Sequence, residues 1–219
     1  MWLRERRESR CVKVLKGESK KNERRAKLKE MIYQRFDFTE MAKRSLDSEW
    51  RRRSPEEQKE FVKLFTDLLE RAYLDQIESY NGEKIQLLKE LDGDNYADVA
   101  TKIIDNKGQE YSVNYQLHKV SGDWKVYDVV IEGISLVNNY RSQFRRVLAK
   151  SSYEELVSTM KGKTLIALIQ EAKLLGRRGV SYESDTFSAV VVVECFALCM
   201  RGYSGGRRRR PRKGSVAGR

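Results

Sequence analysis

The chain has 219 residues, 44 Lys/Arg against 32 Asp/Glu and a formal charge of +12. Its 35% charged residues argue against an integral membrane protein, and its length suits one domain with one sizeable core better than two. The basic surplus sits at the ends: residues 1–30 hold 12 Lys/Arg and 5 Asp/Glu, residues 201–219 hold 8 Lys/Arg and no acid, and residues 31–200 keep 24 bases against 27 acids. A mildly acidic body without an aromatic–basic platform speaks against nucleic acid as partner.

Cys11, Cys195 and Cys199 leave residues 12–194 free of cysteine, so the body has no disulfide framework and the redox compartment stays open. Met1 is followed by Trp2, Leu3, Arg4 and Glu5 rather than by an apolar leader core, and read literally the chain is cytoplasmic. The apolar run 187–200 is too short for a bilayer span and carries Glu194.

In chain order, residues 12–46 read as helical. Leu28, Ile32, Phe36 and Phe38, then Met41, Ala42 and Leu46, form an apolar stripe that breaks near Asp37. Ser54-Pro55-Glu56-Glu57 combines an N-cap, a first-turn proline and a capping-box glutamate. The helix it opens is predicted to run to about Ser79, with Phe61, Phe65, Leu68, Leu69, Ala72, Tyr73 and Ile77 on one face.

A four-stranded meander follows. Ile85, Leu87 and Leu91 mark the first strand and residues 96–104 the second, with turns at Asp92-Gly93-Asp94 and Asp105-Asn106-Lys107-Gly108. In the third, Tyr111, Val113, Tyr115 and Leu117 alternate with Ser112, Asn114, Gln116 and His118. The fourth is a dense run from Trp124 to Ile131, interrupted by Gly133, after which Leu136, Val137, Tyr140, Phe144, Val147 and Leu148 recur at helical spacing. Ser152-Tyr153-Glu154-Glu155 is a second capping box opening a helix to residue 161. Strands joined by short turns are antiparallel, so the expected class is α+β, a sheet of about four strands covered by helices. Residues 1–27 are read as a basic N-terminal segment, 28–163 as the folded domain, and 164–219 as an atypical extension, partly helical and then disordered.

No constellation supports an enzyme. One histidine cannot build a conventional histidine-based metal cluster, and His118, on the polar face of a strand, is read as a solvated residue rather than a catalytic base. Gly162-Lys163-Thr164 is no phosphate loop, because Val157 stands where its first glycine is required. A calcium loop from Asp92 would need glycine at Ala97. Asp128 with Tyr127 is the only acid–phenol pair to nominate. No cofactor is expected. Inward-facing Val99, Ile103, Val113, Tyr115, Leu117 and Val130 on the sheet, and Phe65, Leu69, Tyr73, Tyr140 and Phe144 on the helices, either line a ligand cavity or fill a core; the pattern alone leaves both open.

The stretch WKVYDVVIEGISLVNNYRSQF (124–144), preceded by RFDFTEMAKRSL (35–46) and SPEEQKEFVKLFTDLLERAYLDQI (54–77), closely resembles the MlaC, or toluene-tolerance auxiliary, family over about residues 28–161. Asp128, Gly133, Ser135, Tyr140 and Phe144 carry its most specific signature. One departure is Asp47, which replaces the glycine common in the family after the serine-leucine pair. The resemblance implies an NTF2-like curved antiparallel sheet with a hydrophobic pocket, and a monomeric, non-enzymatic periplasmic carrier of phospholipid. Its implied partners are an outer-membrane lipoprotein–porin complex and an inner-membrane ABC transporter with an MCE-domain ring. An NTF2-like small-ligand enzyme or dimerisation module is the alternative.

Overall fold

The computed structural model describes residues 21–78 and 83–162. Most of the basic N-terminal segment, the three cysteines and the arginine-rich tail lie outside the described residues.

Helices α1 (Lys21–Arg35) and α2 (Phe38–Leu46) meet at Asp37, where the sequence predicts the break. Asp37 caps α2 by accepting from the Glu40 amide at 2.9 Å, and its own amide donates to the Val126 carbonyl at 2.9 Å. The corner is thus tied to the sheet by backbone as well as by side chain. A 3-10 turn (Asp47–Arg52) leads to α3 (Pro55–Glu78). The capping box forms in both directions: the Glu57 amide donates to Ser54 Oγ at 3.2 Å, and the Ser54 amide to Glu57 Oε2 at 2.7 Å. From α3 the side chains of Phe61, Leu64, Phe65, Leu68 and Leu69 are buried, a stripe at helical spacing whose members each contribute about 2 kcal/mol by leaving water.

The sheet runs β1 (Lys84–Asp92), β2 (Tyr96–Ile104), β3 (Glu110–Val120), β4 (Asp123–Ile131) and β5 (Ile134–Ser135), in that order and antiparallel throughout. It is an open five-stranded sheet, one strand more than expected. The addition is β5, two residues paired to the end of β4, which the sequence hides inside the strand-to-helix corner. Glu132 and Gly133, both at positive φ (49° and 78°), make the two-residue turn between them, the type I′ geometry that matches strand twist. Helices α4 (Leu136–Leu148) and α5 (Tyr153–Lys161) complete the described chain.

One register shift decides which residues face the core. Gln116 pairs with Asp128 but Leu117 pairs with Val126, so Tyr127 is an extra residue in β4. Upstream of this bulge Trp124 and Val126 face the core; downstream the parity flips, and Val129, opposite Tyr115, is buried. Val130 pairs with Asn114 on the other face and is only half-buried. Strict alternation from Val126 puts Val130 inside; the extra residue replaces it with Val129. A second bulge at Leu88 in β1 leaves Leu87, Leu88 and Leu91 exposed on the sheet edge.

The same bulge turns the Asp128 side chain toward the start of α4. Its carboxylate accepts from the Val129 amide at 2.8 Å, the Val137 amide at 3.0 Å and the Ser135 hydroxyl, while Ser135 Oγ accepts from the Asn138 amide at 3.0 Å. Asp128 is therefore the structural clamp that starts α4. Replacing it with alanine leaves buried donors without acceptors, at roughly 1–3 kcal/mol each. The D128A variant is expected to lose about 3 kcal/mol, read as a lower urea midpoint at unchanged slope, and D128N is expected to lose less.

Asp47 ends α2 at φ 55° and ψ −123°, a backbone region that favours glycine. Such strain costs of order 1–3 kcal/mol, partly offset on substitution by the freer unfolded glycine. The D47G variant is expected to be more stable by about 1 kcal/mol, raising Tm by roughly 2–4 °C in thermal unfolding.

Candidate binding site

Ten of the eleven residues proposed to line a cavity share one interior. Phe65, Leu69, Val99, Ile103, Val113, Tyr115, Leu117, Tyr140 and Phe144 are buried in a single cluster, and half-buried Tyr73 packs against it. Val130 is the exception, for the reason given by the bulge. Phe61, Leu68, Val126 and Val129 belong to the same interior. Phe61 and Leu68 were on the predicted helix face, whereas Val129 could not be found without the register.

Helices α3 and α4 meet through two aromatic pairs, each spaced four residues apart so that both rings leave one helix face. Phe65 lies edge-on to Tyr140 at 5.3 Å, and Phe61 edge-on to Phe144 at 5.6 Å. Phe65 also reaches Phe144 at 6.1 Å, and Tyr153 from α5 lies beside Phe61 at 6.4 Å. These are favourable quadrupolar arrangements, worth about 1 kcal/mol each beyond their buried area.

The interior holds little polarity. Thr101 satisfies its hydroxyl by donating to the Val113 carbonyl at 2.8 Å. The Tyr140 hydroxyl is buried without a partner of regular hydrogen-bond geometry, and the polar group acting on it is the Tyr73 hydroxyl. Burial, and then Tyr73, push the Tyr140 phenol well above its ordinary value; burial also raises Tyr73, against the effect of its contact with Tyr140. Both phenols therefore stay neutral through the physiological range, and the apolar cluster holds no charged side chain, the buried acids Glu83, Asp105 and Asp128 lying outside it.

The opposite face of the sheet is polar. His118 is not the solvated residue its strand position suggests: its Nε2 lies 3.0 Å from Asp37 Oδ2, its side chain is 16% exposed, and its ring packs edge-on to Tyr127 at 5.4 Å. It ties β3 to the α1–α2 corner. Beside it, a cleft of about 400 Å³ opens between α2, the 3-10 turn, β3–β4 and the first turns of α4. Arg44 forms one wall, its guanidinium 4.1 Å from the Tyr127 ring centroid. Burial raises the Tyr127 phenol, against the pull of Arg44. Burial also raises the Glu40 carboxyl, but hydrogen bonds from Arg44 and Lys43 outweigh this and leave it below the ordinary value.

Among the described residues no group of three or more His, Cys, Asp or Glu is placed to hold a metal, and no helix is long and apolar enough to cross a membrane.

The family model described as "MlaC protein" matches residues 8–162. The intermembrane phospholipid transport system binding protein MlaC of Haemophilus influenzae is 30% identical over 120 residues, 52% of this chain and 56% of that protein. The toluene tolerance protein ttg2D of Pseudomonas putida is 29% identical over 113 residues, 51% of this chain and 52% of that protein. The chain thus matches about half the length of these relatives. The solved structure of a phospholipid-binding protein from Ralstonia solanacearum, in complex with a phospholipid, gives a TM-score of 0.60 at 22% identity, covering 75% of this chain and 92% of that one. With the family model spanning the whole described body, from the first helix to the end of α5, the chain belongs to the MlaC family.

Proposed function

We propose that this chain is a non-enzymatic phospholipid carrier that buries acyl chains between its sheet and helices α3, α4 and α5. One observation carries the reading: an uncharged interior of aliphatic and aromatic side chains lies within a fold shared with a protein solved in complex with a phospholipid. Two acyl chains hold roughly 30 methylenes, and at about 0.8 kcal/mol each their exposure to water costs more than 20 kcal/mol. Free diffusion of the lipid is negligible, so a carrier has to offer a comparably apolar interior and release its cargo onto another apolar site. Catalysis is not needed, and energy input belongs to a partner. The partners proposed are an outer-membrane lipoprotein–porin complex and an inner-membrane ABC transporter with an MCE-domain ring, with the carrier acting in the periplasm.

The aromatic contacts between α3 and α4 close the interior in this structure. Lipid entry then has to part these helices from the sheet, exchanging side-chain packing for acyl packing at little net loss of apolar contact. The enzyme alternative finds no support at Asp128, whose carboxylate is taken up by the amides and hydroxyl that start α4.

Expression in a Gram-negative host, organic extraction and mass spectrometry are expected to find stoichiometric phospholipid; a lipid-free protein would sink the proposal. Overpacking the sheet wall with Val113→Trp is expected to lower lipid per protein while circular dichroism shows the fold retained. Unchanged occupancy in that variant would place the lipid elsewhere.

A further inference from the structure

The cleft beside α2 is of opposite character to the interior. Four cations line it, Lys43, Arg44, Arg51 and Arg141, against the carboxylates of Asp47 and Asp128. Asp128 keeps its charge, but its oxygens are engaged with Val129, Ser135 and Val137 rather than with a cation, so four positive charges face two negative ones across the cleft. Glu40, outside the cleft, serves both Lys43 at 3.3 Å and Arg44 at 2.8 Å, one negative charge for two positive. Among the described residues Arg51 and Arg141 have no carboxylate partner; Arg141 donates to the Asn138 side-chain oxygen, a neutral acceptor. Asp47, on its strained backbone, is the second opposing carboxylate of the cleft.

We propose that this cleft is a second binding site, for a phosphate-bearing anion, separate from the apolar interior. Guanidinium groups from two elements can fork onto phosphate oxygens, which a single ammonium cannot do. The Val137 and Asn138 amides at the start of α4 already donate to Asp128 and Ser135, so recognition falls to the side chains. At about 400 Å³, against a share of about 30 Å³ for a liquid water molecule, the cleft has room for a phosphate ester with a small organic body. Trp50 and Tyr127 supply flat walls for that body. The phosphate can belong to a soluble ester or to the head group of a lipid in a membrane surface. The site stands independently of whether the interior carries lipid.

Trp50 lines the cleft and reports on it, so the test is tryptophan fluorescence at low ionic strength with inorganic phosphate, sn-glycerol 3-phosphate, and vesicles of phosphatidylglycerol or phosphatidylcholine. A saturable response to phosphate or glycerol 3-phosphate is expected, weakening as salt rises. Arg51→Gln and Arg141→Gln are each expected to weaken it about tenfold, the loss of one charge-assisted contact. D47N is expected to tighten it several-fold, a gain that a merely structural role for Asp47 would not produce. Retention on phosphatidylglycerol vesicles that glycerol 3-phosphate competes away assigns the head group as source; response to the soluble ester alone assigns a metabolite. Arg51 is exposed with no partner among the described residues, so its replacement leaves the fold intact, as a thermal midpoint would check. No saturable response in the native protein, or equal affinity in the R51Q/R141Q double variant, overturns the proposal.

Discussion

The extra residue in β4 is the constraint on which the rest of the structure depends. A strand has a side-chain period of two, so inserting Tyr127 exchanges the two faces from that point on. Before it, Trp124 and Val126 point into the core; after it, Val129 does, and Tyr127 and Asp128 both lie on the polar side. This delivers a carboxylate to the start of α4, where it gathers two amides and a hydroxyl. A regular strand would turn Asp128 into the apolar core and lose the clamp. Position and direction of α4, and hence the seats of Tyr140 and Phe144, follow from one unpaired residue.

The interior shows how helix spacing and sheet alternation are made to meet. Phe61 with Phe65 and Tyr140 with Phe144 are each four residues apart, so each helix presents two rings on one face. Edge-to-face contacts fix the two helices against each other while the aliphatic side chains of β2, β3 and β4 form the floor. Aromatic rings are large and have few rotamers, so a modest shift of one helix moves much apolar surface. Such a surface suits a carrier, which exchanges one apolar filling for another without exposing either to water.

The two faces of the sheet divide the chemistry. One is apolar and free of charge among the described side chains of the interior; the other collects His118 with Asp37, Arg44 on Tyr127, and the cationic cleft. In the proposed carrier this separation keeps unpaired charge away from the low-dielectric interior, where it would be costly. It also makes the two sites experimentally separable, since cleft substitutions alter no residue of the apolar cluster.

The amino-acid sequence determined what is local. The capping box at Ser54, the N-cap at Ser152, the break at Asp37, the turns at Gly93 and Gly108 and the alternation of β2 and β3 are set by neighbours within a few residues, and they stand where the pattern puts them. The sequence also specified the family, through the residues around Trp124–Phe144. What it could not show depends on contacts between distant segments: the bulge at Tyr127, legible only once β4 is paired with β3; the partnership of His118 with Asp37, 81 residues away; and the cleft, whose cations come from α2, the 3-10 turn and α4. Whether an inward residue is Val129 or Val130 is decided by a register of backbone hydrogen bonds, and side-chain identity, β-branched at both positions, says nothing about it.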